Sequence, residues 1–214
     1  MKGFFTSATW QGEKGENIPR LPECGRCGLY KAGCESPKMA PTGEGERAVL
    51  FVGEAPGRRD DKKGRQFTGD SGKLLKKVLK SMPKEVRMDL DQGWKTNAVI
   101  CKPPGQQADD LHINCCRPNL LKTVRDKGPK VVILMGGGAV KGFLPTEREA
   151  DVGAIGRWVG WTIPSHEHQA WICPTYHPSY LLRMNDQVLD RLFRKHLRKA
   201  LELEQVPIPG EPLE

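Results

Sequence analysis

The chain lacks any long apolar segment. None of its 214 residues falls in an apolar run of 18, which is the length that a helix needs to span a bilayer. The amino terminus, from Met1 to Thr6, is too short in its apolar part to act as a secretory signal. We therefore expect a cytoplasmic protein that does not enter the membrane.

Internal repeats, low-complexity tracts and the two common phosphate-binding fingerprints are also missing. Three consecutive glycines, starting at Gly136, follow an apolar run, but Lys141 stands where a dinucleotide-binding loop needs its third glycine. No Gly-Lys-Ser or Gly-Lys-Thr follows, so a P-loop is excluded as well. The glycines at this point therefore need another explanation.

Positive charge is in excess. Lysine and arginine number 34 against 26 acidic residues, which gives a formal net charge of +8 and an isoelectric point near 9.2. This balance suits a polyanionic partner such as nucleic acid, although many soluble proteins share it.

The length suits one substantial α/β core. We predict an irregular arm at residues 1–22, a single domain at 23–204 and an extended, proline-rich tail at 205–214.

Apolar runs alternate with helical patterns along the domain. Residues 48–52, 97–100, 131–135 and 170–173 are typical of strands that are buried on both faces. Leu74, Leu75, Val78, Leu79 and Met82 recur at helical spacing after Asp70 and Ser71, which we expect to cap that helix. Further helices are predicted at 111–124, after Gly136 and at 188–201. The pattern predicts a doubly wound parallel sheet with ligands at the carboxyl ends of its strands.

Seven cysteines remain to be explained. Cys24 and Cys27 form a C-x-x-C pair, and Cys101 and Cys116 follow far downstream. A cytoplasmic compartment keeps thiols reduced, which favours metal binding over disulfides. Four thiolates suit zinc and iron-sulfur clusters equally well, so their spacing leaves the metal open.

Four sequence blocks resemble the motifs of the family 4 uracil-DNA glycosylases, in the family's order, over about residues 24–200. They are Gly53-Glu54-Ala55-Pro56-Gly57 with its continuation to Gly72, Thr96 to Pro104, Cys116-Arg117-Pro118, and Thr175 to Arg183. The resemblance implies a three-layer α/β/α sandwich around a four-stranded parallel sheet. It also implies a 4Fe-4S cluster on Cys24, Cys27, Cys101 and Cys116. Cys116 is preferred to Cys115 because Arg-Pro follows it, and Cys34 departs from the family pattern.

The implied activity is removal of uracil from DNA by hydrolysis of its N-glycosidic bond. Phe67 matches the aromatic residue that stacks on the flipped base, and Asn97 the amide that reads it. His177 matches the donor to the uracil O2, and Glu54 the acidic residue that positions water or stabilises the cationic sugar. Gly53 and Ala55 would also line the substrate. The related family 1 enzymes carry an Asp at the position of Ala55 and a thymine-excluding Tyr at that of Gly57, so thymine must be rejected in another way.

DNA contacts are expected around this pocket. Leu181, four residues beyond His177, is predicted to be the wedge that enters the vacated base stack. For Leu182, a position facing the core at the start of a helix is an equally good interpretation. Phosphate contacts are assigned to Ser179, Arg183, Arg58, Lys62 and the amides after Gly136. The expected partner is uracil-containing DNA, single- or double-stranded, bound by a monomer associated with the nucleoid.

Two alternatives stay open. A non-catalytic or altered-specificity DNA-binding member of the superfamily has support from Gln66, Thr68 and Cys34, where the family usually differs. A zinc-bound α/β protein of unrelated function would share the cysteines. One related group captures its product covalently through an inserted Lys-Arg-Arg-Ile-His loop, which residues 102–115 lack, so free turnover is predicted.

Overall fold

A five-stranded, mostly parallel sheet forms the centre of the molecule. The computed structural model describes residues 24–144 and 154–210, so the predicted arm at 1–22 lies outside the described residues. The strands are β1 (Val49–Gly53), β2 (Trp94–Asn97), β3 (Val131–Met135), β4 (Ile163–Ser165) and β5 (Ala170–Thr175), in the order β2-β1-β3-β5-β4. All neighbouring pairs are parallel except β4 with β5. The doubly wound α/β prediction is confirmed.

Two details of the sheet differ from the prediction. The second strand ends at Asn97, where it was expected to begin, and residues 98–100 continue as a buried loop. The prediction followed the apolar run, whereas the strand itself carries the polar sequence Trp-Lys-Thr-Asn. The antiparallel edge strand β4 was missed because its three residues, Ile-Pro-Ser, show neither an apolar run nor alternation.

Helices cover both faces of the sheet. They are α1 (Arg58–Lys63), α2 (Asp70–Lys80), α3 (Asp110–Lys127), α4 (Gly137–Phe143), α5 (Pro178–Met184) and α6 (Gln187–Glu202). Phe51 and Ile133 point towards α2 and α6, where they share a core with Leu75 and Phe193. Leu50, Val52, Leu134 and their neighbours point the other way, into a core with α3 and α4. Side chains alternate across a strand, so the two cores give three layers.

Helix α2 begins differently from the prediction. Gly69 is its N-cap residue and makes no side-chain capping bond, whereas Asp70 is already helical. The Asp70 carboxylate instead pairs with Arg59 at 2.9 Å and Lys73 at 3.0 Å. The predicted capping by Asp70 and Ser71 is therefore wrong, although the helix and its apolar face are confirmed.

The carboxyl-terminal segment is attached to the sheet. Buried Glu204 accepts a hydrogen bond from the Ala48 amide at 2.9 Å and pairs with Arg47, which joins the end of α6 to the start of β1. The Val206 carbonyl accepts a bond from Trp171 Nε1 at 3.0 Å. The start of the predicted tail thus packs on β5. Across 24–144 and 154–210, no helix combines the length and apolar character needed to cross a membrane.

Candidate active site

The carboxyl ends of β1 and β2 meet at one point. Gly53, the last residue of β1, is in register with Asn97, the last residue of β2. The pairing continues beyond the strands, because Ala98 N donates to Gly53 O at 2.8 Å and Val99 N donates to Glu54 O at 2.9 Å. These hydrogen bonds fix the backbone around Glu54 to the backbone that follows Asn97.

Phe67 and Asn97 converge above Gly53. A Cβ atom built on Gly53 would lie 2.4 Å from Asn97 Oδ1 and 3.1 Å from Phe67 Cζ. The first distance is shorter than real Cβ contacts and the second is tighter than most of them, so a Cβ atom here would displace the amide and crowd the ring. Phe67 is 8% exposed and Asn97 is 4% exposed. The structure therefore brings together three of the predicted substrate-binding residues.

The loop that carries Phe67 is held in a rare backbone conformation. Phe67 has φ 56°, in the left-handed region that L residues seldom occupy. Asp60 of α1 stabilises this loop, since its Oδ1 accepts bonds from Thr68 N at 2.6 Å and Thr68 Oγ1 at 2.7 Å. Its Oδ2 accepts a bond from Gly57 N at 3.1 Å. Sequence reasoning missed Asp60, although its place three residues after Gly57, at the start of a helix, is a capping signal.

The consecutive glycines near the start of α4 make room for two of the predicted catalytic side chains. A Cβ on Gly138 would lie 2.4 Å from Glu54 Cγ and 3.0 Å from Glu54 Oε2, and one on Gly136 would lie 3.0 Å from His177 Cβ. Glu54 Oε1 also accepts a long bond of 3.4 Å from Ala108 N. The Gly136 amide donates to Thr175 O at 2.9 Å, so that amide is occupied. The phosphate contact predicted for this loop would fall to the amides beyond Gly136.

His177 has a defined tautomer in this geometry. Its Nδ1 lies 3.2 Å from the Ser179 backbone N–H, which can only donate, and 2.7 Å from Ser179 Oγ. Nδ1 therefore accepts, and the proton of the neutral ring sits on Nε2. Burial of the ring, reinforced by the charge of Arg183, lowers the pKa of His177 to about 4, although the Asp60 carboxylate acts in the opposite direction. At neutral pH the ring is an uncharged Nε2–H donor.

The residues predicted to touch DNA fall into two groups. Arg58, Lys62 and Arg183 are exposed, while Ser179 is engaged with His177. Leu181 is 5% exposed and belongs to the core beneath α2, whereas its neighbour Leu182 is 49% exposed. A wedge has to be exposed to enter a base stack, so the structure does not support Leu181 in that role. The helical turn of α5 directs residue 181 inwards and residue 182 outwards.

The cysteines gather behind the Glu54 loop. Cys101 and Cys116 lie in a small apolar cluster with Leu29 and Ile113, and Cys27, Cys34 and Ala55 pack against it. The Cys101 sulfur accepts a bond from Lys38 N at 3.2 Å, and that of Cys116 accepts one from the Ile100 amide. Burial raises the pKa of both thiols to about 12. A thiolate at either place requires a nearby cation such as a metal.

A single-ion site is not formed by these groups. Within the described ranges, no three His, Cys, Asp or Glu side chains come close enough together to bind one metal ion. An iron-sulfur cluster has a different requirement, because each thiolate binds its own iron. Buried thiols that accept backbone N–H bonds in apolar surroundings fit that requirement.

Cys34 occupies a distinct position beside this cluster. Its thiol donates to Leu29 O at 3.2 Å and to Lys102 O at 3.3 Å, and burial with the Asp61 charge raises its pKa. Asp61 of α1 accepts bonds from Glu35 N at 3.1 Å and Ser36 N at 2.9 Å. The segment around Cys34 is therefore fixed to α1. Cys173 is 4% exposed and lies in the core shared with α2 and α6.

Comparison with known proteins identifies close relatives of this chain. Residues 40–203 match the model of the family described as the uracil DNA glycosylase superfamily. A type-4 uracil-DNA glycosylase of Sulfurisphaera tokodaii is 30% identical over 184 residues, covering 84% of this chain and 76% of the relative. Enzymes with the same name from Saccharolobus solfataricus and Thermotoga maritima are 29% and 28% identical, covering 87% and 85% of this chain and 85% and 89% of the relatives.

Proposed function

The chain belongs to the uracil-DNA glycosylase superfamily, and from this premise we propose that it is a DNA repair enzyme that excises uracil. It flips the base out of DNA and hydrolyses the N-glycosidic bond, which leaves an abasic site. The observation that carries the proposal is the convergence of Phe67 and Asn97 above Gly53, with neutral His177 and Glu54 both packed on the glycines at the start of α4. Each of these groups has a part in recognition or bond cleavage.

Recognition of the base rests on Phe67 and Asn97. An extruded base stacks on the Phe67 ring, which contributes roughly 1–3 kcal/mol per base. The Asn97 amide offers one donor and one acceptor, which match O4 and N3–H of uracil. Cytosine presents an amino group and an unprotonated N3 at those places. Because the contacts with Phe67 and Gly53 restrict the amide, cytosine leaves mispaired polar groups and is rejected.

Departure of the base is assisted by His177. Cleavage of the C1′–N1 bond leaves the electron pair, and hence negative charge, on the uracil ring. The neutral His177 ring donates Nε2–H towards O2, where this charge develops. Loss of one such preorganised donor typically lowers the rate by about 10²–10³-fold. The bond from Ser179 N to Nδ1 keeps the proton on the nitrogen that faces the base.

Glu54 acts on the sugar side of the reaction. Its carboxylate lies on the first turn of α4, held by packing against Gly138 and by the bond from Ala108 N. There it stabilises the cationic anomeric carbon and orients the attacking water. The water oxygen bonds to C1′, and its proton passes to the carboxylate. The departing uracil leaves as a separate product, in agreement with the free turnover expected from the sequence.

The metal group in this proposal is a 4Fe-4S cluster. Cys24, Cys27, Cys101 and Cys116 would hold it, supported by the apolar surroundings of the last three, the N–H bonds to sulfur and the type-4 relatives. Cys24 lies close enough to Cys101 and Cys116 to raise the pKa of both thiols. When bound, the cluster supplies covalent cross-links between the segments that carry the four cysteines. Because Ala55 packs against the same cluster of residues, these cross-links support the loop of Glu54.

A uracil-containing oligonucleotide tests the activity. Alkaline cleavage after incubation should reveal excision by the wild type, with losses of at least about 10²-fold for Glu54→Ala, Asn97→Ala and His177→Ala. Glu85→Ala changes the same charge on the exposed surface and serves as the matched control. Wild-type protein that binds DNA but never cleaves it would favour the non-catalytic member of the superfamily.

Two further measurements test the cofactor and the assembly. Purified protein should show the broad visible absorption of an iron-sulfur cluster and about four irons per chain. A colourless protein with stoichiometric zinc would contradict the cluster. We also propose that the chain acts as a monomer associated with the nucleoid, since one chain carries every group named above. Light scattering during turnover tests the monomer.

A further inference from the structure

A second cavity lies beside the proposed uracil pocket. It measures about 280 Å³ and opens between α2, β2 and the loop that joins α1 to α2. Phe67 and Thr68 form part of its wall, so the residue that is proposed to stack the base also borders this cavity. The cavity is also lined by Lys63, Arg65, Lys73, Lys76, Lys95 and Asp91. The sequence-based predictions gave no role to Lys73, Lys76, Lys95 or Asp91.

The lining has a large excess of positive charge. Among the described residues that form it, five are cationic and Asp91 is the one carboxylate. Asp91 already contacts Lys95, Lys76 at 3.0 Å and Arg65 at 3.4 Å. Lys73 pairs at 3.0 Å with Asp70, which also pairs with Arg59. The neighbouring acidic groups are therefore shared among several cations, and positive charge remains for an anion.

The cavity is built by regular elements. Lys95 is 2% exposed and projects from β2, two residues before Asn97 and on the same face of the strand. Lys73 and Lys76 lie on consecutive turns of α2. Gln66 closes the wall, because its side chain accepts from Thr42 Oγ1 at 2.6 Å and donates to Ala40 O at 2.7 Å. The cations are thus displayed on a preformed frame.

We propose that this cavity binds phosphate groups. Several ammonium groups and one guanidinium facing a single carboxylate suit an oxyanion that carries one or two charges. The favoured source is the backbone of the DNA strand next to the flipped nucleotide, because Phe67 is shared between the two pockets. This choice of source rests on the proposed function. The cavity extends the phosphate-binding surface from α1 to α2 and β2.

Binding of uracil-free duplex DNA tests the proposal without requiring catalysis. Fluorescence anisotropy should show that Lys73→Ala and Lys76→Ala each weaken binding several-fold at 50 mM salt. Each should also reduce the slope of log K against log salt by about 0.9 for a lost phosphate contact. Lys77→Ala, which removes a charge from the same helix outside the cavity, should have less than half that effect on affinity. Lys76→Arg should restore the slope.

Inorganic phosphate distinguishes the two sources. If DNA binding is unaffected, but millimolar phosphate shifts the amide NMR signals of residues 73–76 in the wild type and not in the Lys73→Ala/Lys76→Ala variant, the ligand is a free phosphate. If neither DNA binding nor phosphate titration depends on these lysines more than on Lys77, the proposal is overturned. A melting temperature within a few degrees of wild type confirms that the variants are folded. An enzyme inactive on uracil would leave these binding results unchanged.

Discussion

The proposed uracil site and the cysteine cluster lie on adjoining loops, but they are maintained in different ways. In the proposed uracil site, the protein chain itself restrains each group. Gly53 and Gly138 leave just enough space for the side chains that pack on them. Asp60 holds the Phe67 loop, and Ser179 sets the His177 tautomer. In the cysteine cluster, burial favours the neutral thiol at Cys101 and Cys116. Metal binding needs thiolates, so the proposed cluster would have to overcome this preference for the neutral thiol.

This difference assigns the two regions separate tasks. Catalysis by electrostatic preorganisation requires side chains that do not move during the reaction, and packing against glycine achieves this without a cofactor. The proposed cluster would contribute binding free energy that becomes folding free energy. Ala55 packs against the cysteine cluster and adjoins Glu54, so the two regions are in contact. We therefore expect mutations to separate stability from catalysis.

The largest effect is expected from loss of a proposed metal ligand. Cys101→Ser should abolish the visible absorption and lower the free energy of unfolding by several kcal/mol, because metal binding is coupled to folding. Iron content and thermal unfolding measure this effect. Cys34→Ala should retain the iron, since that thiol is bonded to two backbone carbonyls. Loss of iron from Cys34→Ala would instead make Cys34 a ligand.

The next largest effect is a loss of catalysis without a loss of iron. Gly53→Ala adds a methyl group that displaces Asn97 and Phe67, and a displacement of about 1 Å can cost roughly 10²-fold in kcat/KM. Iron content should stay at the wild-type value. Gly69→Ala, in the same segment but with open space around its Cβ position, is the control and should remain active. Equal activity of the two variants would contradict the packing role of Gly53.

A smaller effect is expected in α5, where Leu182 is exposed and its neighbour Leu181 is buried. Leu182→Ala should lower excision from duplex DNA roughly tenfold, equivalent to about 1.4 kcal/mol, because its exposed side chain is the better candidate for the wedge. Excision from single strands should be unaffected.

Leu181→Ala provides the contrast, since removal of a buried leucine side chain typically costs about 2–5 kcal/mol of stability. Chemical denaturation measures that loss. A Leu181→Ala protein of normal stability, with a defect confined to duplex DNA, would return the wedge to Leu181.

The smallest effect concerns pH. The pKa of His177 is lowered to about 4, so the ring stays neutral and able to donate from pH 8 down through 6.5. The single-turnover rate should therefore show no inflection near pH 6.5 from this residue, and it should fall only as the pH approaches 4. Between pH 6.5 and 4, His177 binds a proton in the unfolded chain but stays neutral in the folded chain. The contribution of His177 to stability therefore decreases as the pH falls through this range. NMR titration of the ring gives its pKa directly.

Local pattern was sufficient for much of the fold. β1 and β3 are five-residue strands buried throughout, and the apolar stripes of α2 and α6 follow helical spacing, so each was predicted from its own residues. β2 was misplaced because Lys95, Thr96 and Asn97 are polar, and they are buried only because the strand lies beside β1 in the sheet. A strand of polar residues that is buried by its sheet neighbour has no apolar run to mark it in the sequence.

The sequence by itself determined the fold class and the family, because residue type and order suffice for both, and it supplied the prediction that Glu54, Phe67, Asn97 and His177 form the site. Tertiary structure alone decided which neighbour of a pair is exposed, as at Leu181 and Leu182. It also decided why Gly53 and Gly138 must be glycine, and which lysines gather around Asp91. These features depend on distances between segments far apart in the chain, which only packing of the helices on the sheet establishes.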